Sequence, residues 1–83
     1  MNEFYIVCAD VAERENVFKR LDMIGFKWSA GERIFEYHPT SECLYIHVYK
    51  DGKYIKYGRR NIGGIGETTA ADFMKAPVNH ILR

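Results

Sequence analysis

The chain has 83 residues, 47% hydrophobic and 14% aromatic. This supports one small folded domain spanning 1–83 and argues against disorder, with a core small enough that a homodimer would add useful stability. The net charge of +1 selects no partner by itself. No apolar run approaches the roughly 18 residues of a membrane span, so no membrane partner is expected.

"EFYIVCA" (3–9) is rich in β-formers and predicts a strand. The start "MNEFYIVCAD" lacks a basic segment before an apolar one, so no signal peptide is expected. Asp10 reads as an N-cap, with Glu13 completing a capping box. "VAERENVFKRLDMIG" then predicts a helix with Val17, Phe18, Leu21 and Ile24 on its apolar stripe. Gly25 ends it as the residue just past the C-cap.

Phe26 and Trp28 alternate with Lys27, which predicts a short strand. Ser29-Ala30-Gly31 follows as a turn, and "RIFEY" (33–37) as a second short strand. "HPTSE" (38–42) reads as a loop. "CLYIHVYK" (43–50) and "KYIKYGRR" (53–60) are strands joined at Asp51-Gly52, a two-residue hairpin signal that requires positive φ at both positions. "NIGGIGE" (61–67) reads as a flexible loop. Thr69 with Asp72 opens a short helix, "AADFMKA", which Pro77 stops. In the tail, Val78, Ile81 and Leu82 are expected to dock on the core. The order β-α-β-β-β-α predicts an α+β fold: a mostly antiparallel sheet of about four strands with one long helix on one face.

Charge is unevenly spread. Residues 50–60 hold five bases (Lys50, Lys53, Lys56, Arg59, Arg60) and Asp51, a local balance of +4. A two-residue loop pairs Tyr49 with Tyr54, Val48 with Ile55, His47 with Lys56, Ile46 with Tyr57 and Tyr45 with Gly58. Alternation then divides the hairpin. Leu44, Ile46, Val48, Ile55 and Tyr57 form the core face. Tyr45, His47, Tyr49, Tyr54 and Lys56, with Arg60 beyond, form the other.

An aromatic face with interleaved cations suits single-stranded RNA. Bases would stack on Tyr45, Tyr49, Tyr54 and His47, while Lys56, Arg59, Arg60, Lys53 and Lys50 meet phosphates. A protein or dimer interface and plain structural packing of the tyrosines are the other readings of the same face.

Elsewhere the sequence offers little chemistry. His38, His47 and His80 are too scattered for a metal site, and no nucleophile has a base beside it, so no cofactor and no enzyme activity are expected. Cys8 and Cys43 lie in apolar runs and read as buried thiols in a reducing cytosol, with a disulfide as the alternative. "GGIG" (63–66) is neither a dinucleotide-binding fingerprint nor a P-loop. Trp28 reads as a core or rim residue, with ligand stacking as the alternative.

Gly25-Phe26-Lys27-Trp28-Ser29-Ala30-Gly31, Tyr45-Ile46-His47-Val48, Ile55-Lys56-Tyr57-Gly58 and Thr69 through Phe73 together resemble a pattern found in small accessory proteins of T-even-type bacteriophages. The resemblance spans roughly residues 17–75 and concerns architecture more than activity. It implies a non-enzymatic host-takeover or counter-defence role in the host bacterial cytoplasm. The toxin-inhibitory members of that group, RNA-binding inhibitors of ToxN-type ribonuclease toxins, imply RNA and a bacterial toxin or immune protein as partners. Within the same setting, direct protein–protein inhibition of an immune enzyme and sequestration of a nucleotide immune signal are the alternatives.

Overall fold

A computed structural model describes residues 3–37, 39 and 42–82. Strand β1 (Glu3–Val7) leads into helix α1 (Val11–Met23). The Asp10 carboxylate accepts the Glu13 amide at 2.8 Å, while the Glu13 carboxylate accepts the Ala9 amide at 2.8 Å, so the two acids cap the helix start together. At the other end the Gly25 amide donates to Asp22 and the Phe26 amide to Leu21, with Gly25 at φ 99°. This is the Schellman closure, and its left-handed residue favours glycine.

The remaining elements are β2 (Lys27–Trp28), β3 (Tyr45–Tyr49), β4 (Tyr54–Gly58), β5 (Glu67–Thr69), α2 (Ala70–Lys75) and α3 (Val78–Leu82). They overturn the expected fold. The sheet has five strands in the order β2-β4-β3-β1-β5. Two of its four pairings are parallel, β1 with β5 and β2 with β4, so the sheet is mixed. The helices number three among the described residues, and only α1, with 13 residues, exceeds two turns.

The error has a local cause. Strand β5 is "ETT", three residues without apolar alternation, and it forms because β1 supplies an edge: the Tyr5 amide donates to Gly66 O at 2.9 Å. At the opposite edge the Lys27 amide donates to Lys53 O at 3.1 Å and holds β2 parallel to β4. The strand expected at 33–37 is a 3₁₀ turn (Ile34–Glu36). The Trp28 indole N–H reaches the carbonyls of Ile34 (2.9 Å) and Tyr37 (3.1 Å), which curls this segment instead of extending it. The expected loop at 38–42 lies largely outside the described residues.

The hairpin pairs as expected, from Tyr45 with Gly58 to Tyr49 with Tyr54. Its turn differs. Lys53, at φ 52°, is the left-handed residue, and the Lys53 amide donates to Lys50 O at 3.3 Å, so the loop runs over four residues, 50–53. Releasing one residue from each arm leaves the register unchanged, which is why the faces still sort correctly.

One sheet face packs against the helices. Ile6, Ile46, Val48 and Ile55 meet Val17, Phe18 and Leu21 of α1 and Phe73 of α2, all at most 3% exposed. Arg20 joins the helices: its guanidinium donates to Phe73 O at 2.6 Å and to Ala76 O, capping the end of α2. Val78 is exposed rather than docked; the docking expected of Ile81 and Leu82 lies outside the described side chains.

Two parallel crossovers follow from this topology. The β1-α1-β2 crossover moves toward the β2 edge over the core face. The β4-to-β5 connection, residues 59–66, moves the opposite way. Parallel crossovers are right-handed, so reversing the direction requires crossing the opposite face. The missed strand β5 therefore draws a loop across the aromatic side of the sheet.

Candidate nucleic-acid interface

The aromatic face gathers side chains from every strand. Register places Glu3, Tyr5 and Val7 of β1 beside Tyr49, His47 and Tyr45 of β3. Lys27 of β2 lies beside Tyr54, and Glu67 of β5 beside Tyr5. Cations therefore occupy the β2/β4 side and carboxylates the β1/β5 side, with rings between.

Four of the rings form a continuous stack. Tyr5 lies 4.4 Å from His47, His47 4.1 Å from Tyr49, and Tyr49 4.5 Å from Tyr54, with interplanar angles of 27°, 26° and 15°. Tyr45 packs edge-on against Tyr5 at 6.1 Å. His47 and Tyr49 thus have both faces occupied by neighbours. Stacking stabilises the face itself and leaves His47 and Tyr49 only their edges and polar atoms to meet a ligand, while Tyr5 and Tyr54 end the stack with one stacking neighbour each. His47 Nε2–H donates to the Glu3 carboxylate at 2.9 Å, which orients the ring. Burial, then the nearby Glu3 charge, raises the pKa of the Tyr49 hydroxyl, so it stays a neutral donor.

The crossing loop sits over this stack. Ile62 and Gly63 share with Tyr5, His47, Tyr49, Lys56 and Arg60 a depression of about 380 Å³. Asn61 stiffens the loop: its side-chain amide donates to Ile65 O at 2.6 Å and to the Glu67 carboxylate at 3.0 Å. Tyr5, on the face of the sheet opposite the core, is only 4% exposed.

The five cations do not act together. Lys56 and Arg60 line the depression, and Lys56 Nζ stands 5.5 Å from the centre of the Tyr49 ring. Arg59 is paired with Glu42 at 2.7 Å. Lys50 borders a different groove, with Phe4, Asp72, Phe73 and His80 on the helix side. Lys53 is exposed in the turn.

Sequence reasoning missed Tyr5 as a partner of the hairpin rings, although its alternation with Ile6 signalled an outward side chain. It had no signal for Ile62 and Gly63, which arrive only through the crossover. It also missed a second aromatic group at the β2 edge, where Trp28, Tyr37 and Tyr57 pack within 5.5–6.2 Å of one another.

Both cysteines are free and buried, and burial, chiefly, pushes the Cys8 thiol up to about 12, which makes it inert. Among the described residues no group of three or more His, Cys, Asp or Glu side chains is placed to hold a metal ion, and no helix is long and apolar enough to cross a membrane. Comparison with protein-family profiles, curated proteins and solved structures gives no match. The fold and site therefore define a small α+β protein with a mixed five-stranded sheet and a roofed aromatic–cationic depression.

Proposed function

We propose that the chain is a non-enzymatic RNA-binding protein whose contact surface is the depression between the ring stack and the 59–63 segment. The observation that carries this reading is the convergence of Lys56 and Arg60 on a cavity walled by aromatic edges. Aromatic edges carry the positive end of the ring quadrupole, so edges, hydroxyls and two cations all favour an anion. Phosphate contact therefore leads, and base stacking on the hairpin rings is secondary, because both faces of His47 and Tyr49, the two central rings, are already filled. The carboxylates of Glu3 and Glu67 repel phosphate from the β1/β5 side and confine the strand to the basic half.

In the setting that the phage resemblance implies, the protein neutralises a toxin endoribonuclease through an RNA-containing complex in the host bacterial cytoplasm. The direct test is fluorescence anisotropy with labelled single-stranded RNA. Lys56→Glu with Arg60→Glu abolishes binding while the circular dichroism spectrum is retained; unchanged binding would overturn the proposal. For the wider role, the complex is purified from infected cells and its 260/280 absorbance ratio followed through nuclease treatment. Release of the toxin as the ratio falls is expected. A ratio typical of pure protein, with a host protein still attached, would favour direct protein–protein inhibition instead.

A further inference from the structure

Beside the depression, at the β2 edge, lies a second cavity of about 370 Å³, within the range of small-ligand sites (about 300–1,000 Å³). Its walls are aromatic and preset. Tyr37 and Tyr57 stand 6.2 Å apart at 28°, and their hydroxyls share a hydrogen bond of 2.9 Å. Trp28, which also lines the pocket, stands at nearly right angles to both rings. Its indole N–H is already donated to backbone carbonyls, so the tryptophan is locked and offers a ligand no polar group. Tyr37, 49% exposed, leaves the mouth open.

Besides the tyrosine hydroxyls, the polar side chains lining this pocket are Ser29, Glu32 and Lys56, and Glu32 is the one carboxylate among them. Glu32 is exposed, and its carboxylate has no hydrogen-bond or ion-pair partner among the described residues. Lys56 borders this pocket and the depression alike, so a chain whose phosphates lie on Lys56 and Arg60 passes the mouth. An aromatic slot next to a phosphate contact is how single-stranded RNA has an unstacked base held and read on its edge.

A carboxylate accepts hydrogen bonds and donates none, so it selects a base edge with adjacent donors. Guanine alone of the four bases presents two, N1–H beside the 2-amino group. Adenine and cytosine place an acceptor beside their amino group, and uracil sets one donor between two acceptors.

We propose that the Trp28–Tyr37–Tyr57 pocket takes one unstacked guanine of a single-stranded RNA, with the Glu32 carboxylate accepting from its N1–H and 2-amino group. This rests on the RNA-binding reading above and adds a base preference to it. The test compares labelled decauridine with the same oligomer carrying one central guanine, by anisotropy. The guanine raises affinity about tenfold, the scale of one bidentate base contact. Glu32→Gln brings the ratio of the two affinities to within about twofold of one, and so does Tyr37→Ala; both positions are exposed enough for the fold to survive. If both oligomers bind but show no guanine preference, or if Glu32→Gln leaves the preference intact, the pocket assignment is wrong and the phosphate-binding reading stands. If neither oligomer binds the wild-type protein, both fall.

Discussion

The self-stacked tyrosines make a thermodynamic prediction that an open base-stacking platform does not. Tyr49 lies between His47 at 4.1 Å and Tyr54 at 4.5 Å, with Lys56 Nζ 5.5 Å from its ring centre. Each ring pair contributes about 0.5–1.5 kcal/mol beyond area burial, and an exposed cation contact about 0.5–1 kcal/mol. These contacts alone make Tyr49→Ala cost about 1.5–4 kcal/mol, and the lost apolar area adds to it. A double-mutant cycle with Tyr54→Ala isolates the shared contact from the loss of area, and the coupling should be about 0.5–1.5 kcal/mol. Urea denaturation followed by circular dichroism measures all four corners. A coupling within about 0.3 kcal/mol of zero would show that the rings do not face each other, which would return their faces to a ligand and undo the argument for phosphate-led binding.

Three further predictions bear on separate parts of the molecule. Glu42→Gln releases Arg59 from its 2.7 Å pair, so RNA affinity should rise and its salt slope steepen by about 0.7, while stability changes by less than about 1 kcal/mol because the pair is exposed. An unchanged slope would mean that Arg59 lies off the RNA path. Gly25→Ala meets no atom within 4 Å but must hold φ +99°, at a cost of about 1–2 kcal/mol; Gly66→Ala, equally open and without positive φ, should be neutral or slightly stabilising in the same urea titration. The third concerns pH. The Cys8 thiol rises from 9.0 to about 12 on folding, so above pH 9 the unfolded chain binds fewer protons than the native one. Stability is then full below about pH 9 and falls as pH climbs toward 12, by at most about 1.4 kcal/mol per pH unit from this group. Tyr57, held up to about 12 by its bond to Tyr37, steepens the fall above pH 10. Cys8→Ala should flatten the slope between pH 9 and 10; an unaltered slope would contradict the assignment.

The parts readable in the sequence are those set by neighbours in the chain. Asp10 with Glu13 and Thr69 with Asp72 mark the starts of α1 and α2, because a cap is a contact over three or four residues. Gly25 marks the end of α1, because only its backbone needs a left-handed turn there. The two faces of the hairpin follow from strict alternation, which survived even a mistaken turn type, since lengthening the loop by one residue on each side preserves register.

The tertiary structure alone decided the edges of the sheet and what lies over its aromatic face. Strand β5 has no pattern of its own; it exists because β1 offers unpaired backbone groups, and a parallel partner there forces residues 59–66 across the sheet. That crossing sets Ile62 and Gly63 over Tyr5 and His47 and brings Arg60 to the cavity, while Arg59, one residue away, is diverted to Glu42. Alternation assigns a side chain to a face, but whether its ring meets solvent, a ligand or another ring depends on the neighbouring strand, and strand order is a long-range choice that local residues do not encode.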